Sequence, residues 1–400
     1  MTVATTLGPE ATIGVVGAGA MGAGIAQLAA QCGHAVVLAD AASPSLTKAK
    51  DGHAKAIARD VEKGRLTRAE GDAVLARISY VGGVAEQDLK QFASCAMVLE
   101  AIVEDLAMKQ GLFRALEQVL APDAVLATNT SSLSVAALAG ACAHGERVVG
   151  VHFFNPAPVM PLVEIIPALA TDAMVAQRVR TLIARWGKLP VMAADTPGFI
   201  VNRIARPYYG EALRMLEEGI ADCATIDWAM KTIGGFKMGP FELMDFIGND
   251  VNYAVTQSVF EAMYFDPRYT PALTQRRLVE SGWLGRKSKR GYYDYRDGAV
   301  MPTPSEDAAL GRVIMERIVA MLVNEATDAV QMGVASPEDI ELAMTKGVNY
   351  PKGLLAWGDE IGAGAVLATL ESLQAEYGED RYRPSPLLRR VAKSGGRLCT

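Results

Sequence analysis

The chain is short of three things that would have assigned it elsewhere: paired cysteines, excess positive charge, and an uninterrupted apolar span. Its five cysteines (Cys32, Cys95, Cys142, Cys223 and Cys399) are odd in number, scattered and without a C-x-x-C pair. That excludes a disulfide framework and a zinc site, so no metal is expected and the setting is read as reducing and cytoplasmic. Lys and Arg number 39 against 45 Asp and Glu, a formal charge of −6, which leaves no basic footprint for nucleic acid or an anionic membrane. Any cation that meets an acidic ligand must therefore be local. Residues 13–39 contain no Lys, Arg, Asp or Glu and are long enough to cross a bilayer, but Gln27, Gln31, His34 and the turn at Cys32-Gly33 interrupt them. They read better as strand, helix, strand, and with no basic stretch ahead of them no secretory signal is expected. Half of the 400 residues are hydrophobic, enough for two or three domains with cores of their own.

What is present points to a dinucleotide. The run Gly17-Ala18-Gly19-Ala20-Met21-Gly22 follows a short apolar run and opens a proline-free stretch of helix formers, the strand, turn and helix order that the glycine fingerprint needs. Gly17 allows the tight turn, Gly19 lets the backbone approach a pyrophosphate, and Gly22 lets helix and strand pack closely. The phosphates would sit at the helix N-terminus. A second apolar run, residues 35–39, ends in Asp40, 23 residues after Gly17. That carboxylate would accept from the adenosine ribose and repel a 2′-phosphate, so NAD is expected in preference to NADP.

Strand and helix patterns alternate to about residue 194, with strands expected at 97–102, 124–128, 148–153, 162–166 and 189–193 and helices at 106–120 and 173–186. Residues 41–78 are polar and helical, too long for one crossover, and read as a helical pair. The expectation is α/β: a Rossmann-type doubly wound sheet over 1–195, then all-helical domains over 196–295 and 311–400 joined by a linker at 296–310. The two helical parts are related. At a constant offset of 114, residues 203–248 match 317–362 at 13 of 46 positions, among them Arg203 with Arg317 and Glu211 with Glu325, the mark of an internal repeat.

There are four histidines. His34 caps the turn into a strand, and His53 and His144 fall in polar stretches. His152 ends a buried-type strand, where open α/β sheets face their cofactor crevice. Twelve residues on, Glu164 stands among Leu162, Val163, Ile165 and Ile166. A carboxylate so placed needs a partner, and a histidine on the neighbouring strand supplies one. Base plus orienting acid is what is needed to take a hydroxyl proton while hydride leaves to NAD.

With these motifs the chain resembles the L-3-hydroxyacyl-CoA dehydrogenase family over nearly its whole length. The resemblance rests on residues 17–22, 100–104, 129–132, 152–156, 197–203 and 238–241. It implies NAD-dependent oxidation of a (3S)-3-hydroxyacyl-CoA, with His152 as base, Glu164 as its partner, and Ser131 and Asn202 hydrogen-bonding around the 3-oxygen. It implies cofactor contacts for Glu104, Lys109, Ser131, Asn155 and Lys287, beside Gly17, Gly19, Met21, Gly22 and Asp40. It also places the CoA on the helical pair, where Lys55, Arg59 and Lys63 recur every fourth residue and form one cationic stripe. The duplicated helical domain and the runs 235–252 and 377–388 are similar to the subgroup that acts on 3-hydroxyadipyl-CoA in phenylacetate catabolism. A broad-range 3-hydroxybutyryl-CoA enzyme is the alternative, and an NAD-binding structural protein without turnover the alternative of another class. Short relatives pair through their single helical domain, so a homodimer or an intramolecular pseudo-dimer is expected. Arg206, one turn beyond Asn202, has two readings: it meets the distal carboxylate of a diacid chain, or it forms a salt bridge with Glu211 or Glu242.

Overall fold

Strands form in the first part of the chain where short apolar runs are bounded by turns: β1 (Thr12–Val16), β2 (Val36–Asp40), β3 (Ile78–Gly82), β4 (Cys95–Glu100), β5 (Val125–Thr128), β6 (Val148–Phe153), β7 (Leu162–Pro167) and β8 (Leu189–Met192). Between them lie α1 (Ala20–Gln31), α2 (Ser43–Glu62), α3 (Arg68–Ala76), α4 (Glu86–Leu89), α5 (Leu106–Glu117), α6 (Val135–Ala139) and α7 (Ala173–Arg185). The structure is a computed structural model that describes residues 7–399. The chain divides between Thr196 and Pro197 into two compact units.

The strands make one sheet in the order β3-β2-β1-β4-β5-β6-β7-β8. The order reverses between β1 and β4, and ligands of such sheets bind outside the strand ends at that reversal. Ile13, Val15, Leu38, Met97, Leu99, Val149, Val151, Val163 and Ile165 form its buried centre. The sheet is parallel except that β6 and β7 run antiparallel. Only residues 154–161 join them, too few for the crossover that a parallel pair requires. β3 was not expected. It follows α3 almost directly, and only Ile78 and Val81 of its five residues are buried, so it carries little of an apolar run.

The helical pair is α2 and α3. α3 begins on a reciprocal cap: Thr67 Oγ1 accepts from Glu70 N, and the Glu70 carboxylate accepts from Thr67 N. His53 of α2 corrects the expectation of a solvated stretch, since it is buried, with Nε2 2.8 Å from Ala23 O and Nδ1 2.8 Å from the Tyr80 hydroxyl. A carbonyl can only accept, so Nε2 carries the proton and Nδ1 accepts from Tyr80. Burial holds the His53 pKa below its ordinary value of 6.5, against the bond to Ala23. Below that value the unfolded chain binds the extra proton more readily, so His53 contributes stability above about pH 6.5 that is lost as pH falls toward its folded pKa. Asp227, pushed up to about 7 by burial, has a slope of opposite sign. The test is therefore the difference between wild type and His53→Gln in urea midpoint from pH 7.5 to 5.5, and parallel curves would refute the assignment.

The second unit holds α8 (Val201–Ile204), α9 (Arg206–Glu217), α10 (Cys223–Trp228), α11 (Pro240–Ile247), α12 (Asn249–Ala262), α13 (Leu273–Glu280), α14 (Ala308–Gln331), α15 (Pro337–Gly347), α16 (Leu354–Ile361), α17 (Ala363–Tyr377) and α18 (Pro386–Ser394). Two expectations need correction. Helix does not continue to Tyr295, since after Glu280 the chain has only a short turn and isolated bridges before α14. The linker ends at Asp307, whose carboxylate caps α14; residues 308–310 are the first turn of the helix.

The offset of 114 recurs in space. Asp227 accepts from Phe241 N and Glu242 N, and Glu341 accepts from Leu355 N and Ala356 N. Asp245 accepts from Tyr292 N and Tyr293 N, while Asp359 accepts from Leu398 N and Cys399 N. The ion pairs are exchanged. Arg203 bonds Glu325 at 2.7 Å and Arg317 bonds Glu211 at 3.0 Å, while Tyr269 donates to Glu325 and Tyr382 to Glu211. When residue i of one copy meets j of the other and j meets i, the contact has the form of a two-fold dimer interface.

Candidate active site

The turn after β1 is shaped by absent side chains. Gly17 has φ +104°, and a Cβ there would lie 2.4 Å from Ala101 O; at Gly22 it would lie 1.8 Å from Gly17 O. At Gly19 it would meet nothing within 4 Å. At the first two backbone fills the space a side chain would need; at Gly19 the space is open, the room that a pyrophosphate close to the backbone would take. No side chain caps α1 and no acidic residue lies in its first turn, so its N–H groups are left for an anion. A cavity of about 750 Å³ adjoins the turn, lined by Gly17, Gly19, Asp40, Ser45, Val103 and Met108 among others. Asp40 faces it with both oxygens oriented, Oδ2 accepting from Ala18 N and Oδ1 from Ala42 N, each at 2.7 Å. Met21, in the first turn of α1, is partly buried and packs against the core. These residues fit a dinucleotide, which supplies the hydride acceptor when bound.

His152 and Glu164 are direct partners across β6 and β7. Nδ1 of the imidazole is 2.6 Å from Glu164 Oε2, and both side chains are buried. The carboxylate can only accept, so Nδ1 carries the proton in neutral His152 and Nε2 is the nitrogen with base capacity. The Phe154 ring stands 4.7 Å from the imidazole. The loop after β5 adjoins this pair, since Asn129 Oδ1 accepts from Phe153 N.

That loop hangs on Glu104, which accepts from Thr130 Oγ1, Ser131 N and Ser132 Oγ. Burial raises the Glu104 pKa, but Lys109 and the loop donors outweigh it and hold the carboxyl below its usual range. Lys109 is buried, its ammonium bonding Glu100 at 2.6 Å and Glu104 at 3.0 Å. It therefore stands behind Glu104. Glu100 escaped the sequence reading, although the logic that singled out Glu164, a carboxylate on an apolar strand, applies equally to it. Lys188 also escaped, and it is bonded to the carbonyls of Ala157, Pro158 and Met160, just after the cis Asn155-Pro156 bond and the exposed Asn155.

Lys55 and Arg59 are exposed on α2, and Lys63 is its C-cap. Asn202 lies half-buried in α8, and Lys287 pairs with Asp250 at 2.6 Å. Arg206 forms neither expected salt bridge: Glu211 is taken by Arg317 and Arg381, and Glu242 by Lys231. Among the described residues no group of three His, Cys, Asp or Glu could hold a metal, and no helix is long and apolar enough to cross a membrane.

A glycine-cradled cofactor site and a buried imidazole–carboxylate pair on one switch-point sheet define an NAD-dependent dehydrogenase. The model of the 3-hydroxyacyl-CoA dehydrogenase NAD-binding domain matches residues 12–196, and that of the family's C-terminal domain matches 198–295 and again 313–397. The chain belongs to the 3-hydroxyacyl-CoA dehydrogenase family. It is 41% identical to the 3-hydroxyadipyl-CoA dehydrogenase of Escherichia coli K12, over 95% of this chain and 97% of that one. It is also 41% identical to the 3-hydroxybutyryl-CoA dehydrogenase of Bradyrhizobium diazoefficiens, over 73% of this chain and 97% of the relative. The crystal structure of a 3-hydroxybutyryl-CoA dehydrogenase from Escherichia coli K12 superposes with a TM-score of 0.90 at 39% identity, covering 96% of this chain and 99% of that one.

Proposed function

We propose that this NAD-dependent 3-hydroxyacyl-CoA dehydrogenase acts on (3S)-3-hydroxyadipyl-CoA, giving the 3-oxoacyl thioester, in the phenylacetate catabolism of a cytoplasmic setting. The observation that carries turnover is the His152–Glu164 pair at 2.6 Å. With NAD bound as the hydride acceptor, Nε2 would take the proton of the 3-hydroxyl and Glu164 would balance the imidazolium that forms. Ser131 and Asn202 hold the 3-oxygen. Glu104, Asn155 and Lys287 serve the nicotinamide half, with Lys109 acting through Glu104, and Lys55, Arg59 and Lys63 meet the CoA phosphates. The adipyl reading is supported by a similarity that runs through both helical copies. The butyryl alternative keeps the support of relatives that match 70–73% of the chain and of a solved structure of that name that covers 96% of it. We further propose that the second helical copy takes the place of a partner subunit.

The test is NADH formation with 3-hydroxyadipyl-CoA and 3-hydroxybutyryl-CoA. A higher kcat/KM for the adipyl thioester is expected; preference for butyryl would return the alternative, and no NADH from either would leave a non-catalytic protein. Asp40 gives a separate check on the cofactor. Replacing it by Ala removes charge-assisted acceptors worth about 1.5–3 kcal/mol, so the Kd for NAD, read by NADH fluorescence titration, should rise about ten- to a hundredfold. An unaltered Kd would reject the ribose role.

A further inference from the structure

Five arginines of the second unit are buried: Arg203, Arg206, Arg268, Arg317 and Arg381. Four meet carboxylates. Arg203 and Arg268 bond Glu325 and Asp328, Arg317 bonds Glu211 and Glu218, and Arg381 bonds Glu211. Arg206, only 6% exposed, has no carboxylate among the described residues. Nε donates to Asn202 O at 2.8 Å, Nη1 donates to Thr256 Oγ1 at 2.9 Å and leans on Asn252 O at 3.4 Å, and the Tyr209 ring lies 4.9 Å away. These acceptors are neutral, and among the described residues they leave Nη2 without a bond, although it is not among the fully enclosed unpartnered atoms. Burial accordingly lowers the Arg206 pKa, and only tyrosines oppose it. A buried cation without a counter-charge is costly, and an anion placed beside it is bound correspondingly well.

The repeat supplies an internal control. At the same offset of 114, Arg206, Asn252 and Thr256 correspond to Ala320, Val366 and Leu370, all buried, on helices α12 and α17 that begin at the same point of the repeat. The fold thus packs this position without a charge, and the copy that does so also has Glu316 where the first has Asn202. A polar trio kept only beside Asn202 is not needed by the architecture. A second unsatisfied group stands near it. The Tyr350 hydroxyl is buried without a hydrogen-bond partner among the described residues, packed on Tyr208 at 5.7 Å and within electrostatic reach of Arg206. A buried donor of this kind wants an acceptor.

We propose that Arg206, with Tyr350 beside it, is the recognition site for the second carboxylate of a dicarboxylic 3-hydroxyacyl thioester. The guanidinium Nη2 donates to one carboxylate oxygen, the Tyr350 hydroxyl to the other, and the charge of Arg206 is neutralised only when a diacid chain is bound. The inference rests on the adipyl reading above and extends it to a residue.

The measurement is kcat/KM for 3-hydroxyadipyl-CoA relative to 3-hydroxyhexanoyl-CoA, two chains of equal length that differ in the terminal carboxylate. In Arg206→Leu the ratio should fall about ten- to a hundredfold, the worth of a charge-assisted contact in a partly dry site. Tyr350→Phe should lower it about three- to tenfold. The triple replacement Arg206→Ala, Asn252→Val, Thr256→Leu reproduces the packing of the second copy and keeps the test open if Arg206→Leu folds poorly; it should lower the ratio as Arg206→Leu does. A wild-type ratio near one would sink the adipyl reading itself. A wild-type preference that survives in Arg206→Leu and in the triple variant, or losses equal on the two thioesters, would overturn the role of Arg206 while leaving that reading intact.

Discussion

His152→Gln is expected to lower kcat by about 10²–10⁴-fold, the range general-base catalysis contributes, with little change in the Kd for NAD. The two effects separate because of the sheet order: β4 and β5 lie between β1, which carries the glycine turn, and β6, which carries His152. Three strand spacings amount to about 14 Å, so a change at the imidazole leaves the cradle alone. Glu164→Gln should also lower kcat. The amide keeps the volume and can still accept from Nδ1, but it loses the charge that balances the imidazolium in the transition state. It can also turn its NH₂ toward Nδ1 and favour the tautomer in which Nε2 is protonated and has no base capacity. Pre-steady-state NADH formation with saturating thioester checks both variants. A His152→Gln enzyme with near wild-type kcat would remove the proposed base, and a Glu164→Gln enzyme indistinguishable from wild type would reduce the carboxylate to a packing group.

Deleting residues 307–400 is expected to abolish the monomer. Glu325 is fully buried between Arg203 and Arg268, and Glu211 between Arg317 and Arg381. Without the second copy, Arg203, Arg268 and Glu211 lose those partners. The deletion also bares the face of α9 on which α14 packs, where Tyr208, Ala212, Leu213 and Met215 are buried, and an exposed apolar patch of this kind drives association. The remaining chain nevertheless carries both halves of the exchange, since Arg203 of one molecule can meet Glu211 of another. A truncated protein that dimerises, or aggregates when it fails to, is the expected result in sedimentation velocity. A folded, active monomer at micromolar concentration would show that the second copy does not stand in for a partner subunit.

The parts of the site that were legible in the sequence are those whose function requires local geometry. Gly17, Gly19 and Gly22 must occupy one turn, and Asp40 must end the next strand, so their spacing is visible along the chain. His152 and Glu164 were legible for a related reason: each is a polar residue on an apolar strand, and the short connection between them forces β6 and β7 to pair antiparallel, which sets the two opposite one another. Glu100 obeys the same rule but stands in the sequence only as part of the run 100–104, and its buried partner Lys109 is set by the fold. His53 reads as solvated because Asp51, Gly52, Ala54 and Lys55 around it are exposed, while the groups it bonds, Ala23 and Tyr80, lie 30 and 27 residues away.

The sequence by itself determined most of the strands and helices, the glycine turn, the pairing of His152 with Glu164, and the fact of the repeat, because periodicity, turn chemistry and identity at a constant offset are properties of neighbours along a chain. Only the tertiary structure decided which charges meet. Arg203 finds Glu325 across 122 residues and Arg317 finds Glu211 across 106, and Coulomb energy depends on distance and burial in space, neither of which is written in sequence separation. By claiming Glu211 and leaving Glu242 to Lys231, those pairings leave Arg206 buried without a carboxylate.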